Sequence, residues 1–468
     1  MKQVQLKNIL IKDVASIKEA MRNIDQFGLR MVFVVDKNNT LLGAVSDSEV
    51  RKAIIKGIDI KGKISNILNK NPIILEEKDR KNPYQVNKII RELYERMPGS
   101  EYILAVDKKH RPSELIHLRE LNLKSRASGK KTHRGKHILI VGGAGYLGTV
   151  LCLQLIKSGY RVRVLDSMLY GDYGMKKVVK QTKNKNIEVI VGDARNISTL
   201  VRALTDIDAV INLAAIVGDP ACKDKPEMAI ETNYLANKAL ADACKYQQIN
   251  RFIYASTCSV YGQSDEDKEL DENAPLNPVS LYARSKIQSE ESLLSMKDEN
   301  FSPIILRMST LYGYSPRMRF DLVINTMTKD AVKNKQINVF GGGKHWRPLL
   351  SVDDAAQAYI KCLEAPLEKV KGEVFNVGSS QQNYRIIDIA KMVHTLVPGS
   401  QLMVEKSSDN DPRNYMVSFA KIEKLLKFKA RHSVERAIQQ MKQVILGTEI
   451  EDVNHPQYYN IKYLNETF

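Results

Sequence analysis

The stretch HILIVGGAGYLGTVLCLQLIKSGYRVRVLDS, His137 to Ser167, decides the architecture of most of the chain. Ile138 to Val141 is a short, unbroken apolar run that stops at glycine, the pattern of a parallel strand covered on both faces. Gly142, Gly145 and Gly148 follow at spacing G-x-x-G-x-x-G, with Tyr146 and Leu147 counted among the cofactor contacts, and an amphipathic helix comes next. Three physical needs place glycine there: a tight turn, close backbone approach to a pyrophosphate, and close packing of helix on strand. The free N–H groups and positive dipole end of that helix favour phosphate. A second strand, RVRVLD, ends at Asp166, where a carboxylate accepts hydrogen bonds from ribose hydroxyls and repels a 2′-phosphate. Ser167 and Met168 come next, with no arginine. The unit predicts a Rossmann-type doubly wound parallel sheet that binds NAD in preference to NADP.

Composition sets the outer bounds. With 468 residues the chain exceeds one ordinary domain, and 43% hydrophobic residues supply material for a core. The formal net charge of +17 raises nucleic acid or a membrane surface as partners. The lysines are spread along the chain without a dense block, so neither partner is expected, and an anionic ligand would profit from the charge. Cys152, Cys222, Cys244, Cys258 and Cys362 show no paired spacing and no Cys-x-x-Cys, which predicts a reducing compartment and no metal site. The start, MKQVQLKNIL, lacks a signal-peptide core, and no apolar run approaches the ~20 residues of a membrane span. A cytoplasmic protein is expected.

Upstream of the glycine turn, KSRASGKKTHRGK is basic, rich in small residues and without apolar periodicity, so residues 125–136 are expected to be a linker. Before it lie two similar passages. MVFVVDKNNTLLGAVSDSEVRKAI reads as strand, turn at Asp36 to Asn39, strand and helix, and YILAVDKKHRPSELIHLREL repeats that order with a turn at Asp107 to His110. Residues 1–124 resemble a CBS-domain pair, an α/β module that often binds adenine nucleotides and regulates an attached enzyme. The resemblance places Ser46 and Glu49 where the family holds a ribose, Glu49 replacing the usual aspartate. Pro112 and Ser113 are expected to interrupt the second strand of the second copy. Binding of adenine nucleotide and a purely packing or dimerising role both remain open.

Downstream, the glycine spacing and a series of ordered motifs resemble the extended short-chain dehydrogenase/reductases, the group of NAD-dependent nucleotide-sugar epimerases and dehydratases. The resemblance runs from Lys136 to about Ile445, within a domain taken as 137–468 that ends in a smaller substrate-binding part. It implies that Asp193 and Ala194 of GDARN meet the adenine, and that Ala214 and Ala215 of INLAA give the cofactor backbone room. It also counts Asn233 of ETNYLAN among the cofactor-site residues, as a helix asparagine that braces the active-site strand.

The chemistry falls on two short segments. In YARSK, Tyr282 and Lys286 lie four apart and share one helix face. A phenol with a pKa near 10 is a poor base at neutral pH; a neighbouring ammonium and the positive nicotinamide are expected to lower that value. In YASTCSVYGQS, the strand RFIYAS delivers its end to the carboxyl edge of the sheet. The resemblance makes Thr257 the hydroxyl partner of Tyr282, with Ser256 as the alternative. The dehydratases follow that threonine with Asp-Glu, a general acid and base. Here Cys258 and Ser259 stand there, facing the substrate in this reading, and 4,6-dehydration is not expected. Relatives that use a cysteine as acid/base place it one residue closer to the turn tyrosine, so a packed, inert Cys258 is favoured over a proton-moving one.

In the substrate half, LRMSTLYGYSPRMRFD carries Thr310 where the family has asparagine. Arg347 of KHWRPLLSVDD and Arg413 of DNDPRNYMVS match arginines that grip a nucleotide diphosphate, a group suited to guanidinium, although each could instead be a structural salt bridge. The expected enzyme is an NAD-dependent nucleotide-sugar epimerase, acting through a transient 4-keto sugar in polysaccharide sugar synthesis. A reductase or 3,5-epimerase using Cys258, and a non-catalytic nucleotide sensor, are the alternatives. A homodimer or higher homo-oligomer is the expected assembly.

Overall fold

A computed structural model describes residues 6–26, 31–80, 86, 89, 92–93, 102–117, 135–264, 268–406, 411–447, 449–450 and 452–467. The chain divides into two compact units, Met1–Lys131 and Thr132–Phe468. All but Gly135 and Lys136 of the expected linker lies outside the described residues.

The larger unit is built on seven parallel strands, numbered here β1 (His137–Val141), β2 (Arg161–Asp166), β3 (Ile187–Val191), β4 (Ala209–Asn212), β5 (Arg251–Thr257), β6 (Ser302–Met308) and β7 (Val374–Val377). Their order is β3-β2-β1-β4-β5-β6-β7, with the direction of winding reversing between β1 and β4. This is the expected Rossmann-type sheet. Alternate residues serve opposite layers: Ile138 and Ile140 enter one core, Leu139 and Val141 the other. Both faces of β1 are therefore covered, which is why the sequence there is a continuous apolar run and not an alternating one. Beyond β6, a three-stranded sheet of Thr310–Tyr312, Trp346–Ser351 and Asn383–Arg385 and a strand pair, Gln336–Val339 with Gln401–Val404, form the smaller part. All five cysteines are free and buried in this unit. No helix among the described residues is long and apolar enough to cross a membrane.

The smaller unit contains the duplicated motif. Leu10–Lys12, Met31–Val35 and Leu41–Ser46 form one sheet, and Ile74–Glu76, Tyr102–Val106 and Pro112–His117 form another. Each has one parallel and one antiparallel pairing. The turns are built alike. Asp36 Oδ1 accepts from the N–H groups of Asn38 and Thr40 at 2.8 and 2.7 Å, and Asp107 Oδ1 from those of Lys109 and Arg111 at 2.8 and 2.9 Å. Pro112 and Ser113 do not interrupt the strand as expected. Pro112 opens it opposite Val106, after a bulge matching the one beside Val35, and a first strand position suits a residue with no N–H to donate. The helix expected after the second copy lies outside the described residues.

Gly148 sits on the first helix of the dinucleotide fold, where an added Cβ would lie 2.6 Å from Gly143 Cα. That contact is backbone and cannot give way cheaply. Gly148→Ala is expected to destabilise the larger unit by about 1–3 kcal/mol, measured by urea denaturation; an unchanged midpoint would show that helix and turn are not packed this closely.

Candidate active site

The carboxyl ends of the strands open into a cavity of about 1470 Å³, larger than an ordinary small-molecule site and roomy enough for a dinucleotide beside a second ligand. Gly142, Gly145, Tyr146, Leu147, Gly148, Asp166, Asp193, Ala194, Ala214 and Ala215 all line it. The cradle fits a pyrophosphate. Gly142 has φ +81°, and a Cβ on it would meet Ala214 N at 2.6 Å. Asp166 is fixed by two backbone donors, Ala144 N to Oδ2 and Met168 N to Oδ1, both at 2.9 Å. Burial pushes its carboxyl above the usual carboxylate range against the pull of those bonds, so a ribose diol would supply the hydrogen bonds that water cannot. Tyr146 donates its hydroxyl to Gly313 O at 2.5 Å, tying the helix start to the smaller part. Asp193 is held by Arg195 at 2.7 Å.

Asn233 departs from its cofactor-binding assignment. It is buried in a single π-helical turn, Glu231–Leu235, and does not line the cavity. Its amide accepts from Ile216 N at 2.8 Å and donates to Ile216 O at 3.1 Å and Ser285 Oγ at 3.3 Å. It joins the loop after β4 to the helix that carries Tyr282. Such insertions in helices are frequent at functional sites.

Thr257 ends β5 and caps the short turn Cys258–Tyr261, accepting from Ser259 N at 3.1 Å and donating its hydroxyl to Ser259 Oγ at 3.1 Å. Tyr282 and Lys286 belong to the helix Leu281–Ser295, capped by Ser280. Lys286 Nζ donates to Ala255 O at 2.8 Å and stands 5.8 Å from the Tyr282 ring centroid. Burial pulls the Lys286 ammonium down to about 8. In the protein alone burial also pushes the Tyr282 phenol up, with Cys222 and Asp219 adding to the shift. In the cofactor-free protein burial thus outweighs any lowering by Lys286, whose ammonium is anchored on the Ala255 carbonyl.

Behind this row lies a group the sequence did not reveal. Glu290, one turn beyond Lys286, is 3% exposed; it accepts from Ser256 Oγ and pairs with Arg307 Nη2 at 2.7 Å. Arg307 also donates to Tyr261 O–H at 3.0 Å. Ser256 is therefore spent on packing. Cys258 is packed, as its offset favoured, and only its place among the substrate contacts is corrected. Its thiol donates to Arg307 O at 3.2 Å, burial pushes its pKa up, and it is not among the cavity residues, because the side chain leaves the strand on the core face. Ser259 does line the cavity, with Oγ 3.3 Å from Tyr415 O–H.

Arg347 and Arg413 both reach the cavity and converge on one carboxylate. Asp411 takes Arg347 Nη2 at 2.7 Å and both Arg413 Nε and Nη2, at 2.7 and 2.6 Å. Although burial opposes it, these guanidiniums hold Asp411 well below the usual carboxylate range. Arg413 Nη1 also meets Asp219 Oδ2 at 3.1 Å. Arg317, Arg319 and Asp411 line the site as well and were not anticipated; so does Asp219, whose loop after β4 could be placed near the site but not given a role. Asp411, two residues before Arg413, was legible as a local Asp-x-Arg pair; nothing in the sequence around Arg317 signals proximity to the glycine turn.

A dinucleotide cleft in this strand order, with a hydroxyl–tyrosine–lysine row beside it, defines an NAD-dependent oxidoreductase-type enzyme of the extended short-chain class. The sequence profile of the NAD dependent epimerase/dehydratase family matches residues 138–378, and the chain belongs to that family. It is similar to a UDP-N-acetyl-alpha-D-glucosaminuronate decarboxylase of Bacillus cytotoxicus, 29% identical over 58% of this chain and 83% of that one. It is also similar to a UDP-glucose 4-epimerase of Bacillus subtilis, 25% identical over 64% and 93%. Among solved structures, UDP-glucuronic acid 4-epimerase from Bacillus cereus, in complex with UDP-glucuronic acid and NAD, superposes with TM-score 0.60 at 27% identity, covering 66% of this chain and 98% of that one.

The state of Lys286 has a measurable signature. Its folded value of about 8 lies below the ordinary lysine value of about 10.4, so between them the unfolded chain binds the extra proton and stability rises with pH. Denaturation of the cofactor-free protein should show this gain from about pH 8 to pH 10 relative to Lys286→Met. Parallel pH profiles for the two proteins would mean that Lys286 titrates normally.

Proposed function

We propose that the protein is a nucleotide-sugar 4-epimerase that works through a transient 4-keto sugar. The observation that carries this reading is how few proton-moving groups the described residues place at the reacting position. Thr257, Tyr282 and Lys286 are there, while Cys258 turns into the core, Glu290 is tied to Arg307, and Asp219 is paired with Arg413 through Oδ2. Dehydration or 3,5-epimerisation requires further groups that move protons at neighbouring carbons; oxidation and return at one carbon does not. Bound NAD supplies the hydride acceptor. Tyr282 takes the proton of the sugar hydroxyl as its carbon is oxidised and returns it at reduction, Thr257 orients that oxygen, and Lys286 stabilises the phenolate. Arg347 and Arg413 meet the diphosphate, with Asp411 as the carboxylate they release or share. The relatives named above favour a uridine nucleotide.

Incubation with UDP-, dTDP-, GDP- and CDP-sugars followed by product NMR in deuterated water tests this. One substrate should invert at a single carbon without solvent deuterium entering the ring, and Tyr282→Phe should lose about 10²–10⁴-fold in turnover while retaining NAD. Ring deuteration would point to proton exchange beside the ketone and sink the 4-epimerase reading.

We further propose that residues 1–124 are a CBS-type pair with a regulatory role. The duplicated aspartate turns support it. Ser46 and Glu49, the candidate ribose contacts, form a capping box, with Ser46 N donating to Glu49 at 3.0 Å, so an adenine nucleotide binding there would have to open it. Calorimetry with AMP and ATP, in wild type and Glu49→Ala, is expected to give binding that the variant changes. No heat in either protein would leave the unit a packing module.

A further inference from the structure

We infer that Arg317, held by the C-terminal helix Asn460–Thr467, closes over the pyrophosphate of bound NAD and keeps the cofactor in the cleft from one turnover to the next. The inference rests on the NAD site described above. Arg317 is 1% exposed and lines the cavity. Its Nη2 donates to Asn460 Oδ1 at 2.7 Å, its Nε is sealed without a partner, and its guanidinium lies 4.9 Å from the Tyr170 ring centroid. Among the described residues no carboxylate pairs with it. The other guanidiniums of the cavity are matched: Arg195 by Asp193, Arg319 by Asp321, Arg347 and Arg413 by Asp411. A buried cation without a direct ion-pair partner is costly; Asp321 acts on it only from beyond contact distance, and an anionic ligand would offset the remaining cost.

Position selects which anion. The Arg317 backbone packs on Gly174, where a Cβ would lie 2.4 Å from Arg317 Cβ, at the start of the helix that follows β2. Two residues earlier, Ser315 donates to Tyr146 O at 2.7 Å, on the first turn of the helix that the glycine turn opens. Arg317 therefore stands at the cofactor end, against the loop that follows the ribose carboxylate and close to the glycine turn, where the pyrophosphate runs. The C-terminal segment fixes it there. Asn460 N donates to Asp321 Oδ2 at 3.1 Å, Phe320 N to Tyr458 O at 2.9 Å, and Tyr463 packs on Gly171. The loop carrying Arg317 and the loop after Asp166 are thus strapped together by residues beyond 378, where the family profile ends. A reaction whose hydride returns to the same sugar leaves NAD unchanged, so nothing is lost by never releasing it.

The test uses the full chain and its Arg317→Met and Asn460→Ala variants. It measures NAD carried through purification, the NAD dissociation rate, and affinity for NAD, ADP and adenosine. Arg317→Met should weaken NAD and ADP by about 10- to 100-fold, the worth of a charge-assisted hydrogen bond, leave adenosine unchanged, and keep or raise the melting temperature without cofactor. Asn460→Ala, which leaves the guanidinium in place, should speed NAD release in the same direction but by less; it carries the test if Arg317→Met does not fold. Wild-type NAD affinity in Arg317→Met, equal losses for NAD and adenosine, or a loss confined to the nucleotide sugar would each overturn the inference. A wild-type chain that binds no NAD would instead overturn the cofactor assignment beneath it.

Discussion

The buried pair of Glu290 and Arg307 is the constraint on which the site depends. It joins the catalytic helix to β6, takes the hydroxyl of Ser256 from β5, and through Arg307 holds Tyr261 at the end of the catalytic turn. Tyr282 and Lys286 lie two turns and one turn back along the same helix, so their height above the sheet is set by where Glu290 is anchored. Removing one partner of such a pair typically costs about 3–5 kcal/mol, because the other charge is left stranded. The pair is a positioning device: it fixes the rotation of the helix that carries Tyr282 and Lys286.

Charge in the cavity is arranged differently at its two ends. At one end Arg347 and Arg413 are already neutralised by Asp411 and Asp219, so an anion arriving there would compete with carboxylates for the same guanidiniums. That geometry favours exchange. Toward the glycine turn the walls are backbone: Gly142 against Ala214 and Gly148 against Gly143 leave no room for a methyl group. There shape and N–H groups, with the Arg317 guanidinium beside them, leave a ligand few carboxylates to displace.

Those backbone walls are also why so much of the fold was legible. Close approach demands glycine at fixed intervals, and a strand covered on both faces demands an unbroken apolar run; both are local patterns and both can be read in His137 to Ser167. Tyr282 and Lys286 were legible because four residues make one helical turn. What escaped was whatever the chain brings from a distance. Arg317 and Asn460 are 143 residues apart, and their meeting has no local signature. Glu290 hid on a helix whose other residues look solvated. Cys258 was read from its offset to Tyr261, and the one-residue shift does send it to the core. Pro112 misled because proline is a strand breaker in general but not at a strand's first residue.

The five cysteines carry a consequence for following the molecule's motions. All are buried, all lie between residues 152 and 362, and none is in the smaller unit. Thiol-directed reagents should therefore be blind to that smaller unit and to surface fluctuations of the larger one. Alkylation then becomes a clock for deep opening: Cys222 reports the loop beside Tyr282, Cys152 the helix after the glycine turn, and Cys244 the opposite face of the sheet. The order in which they label would map which layer of the enzyme loosens first.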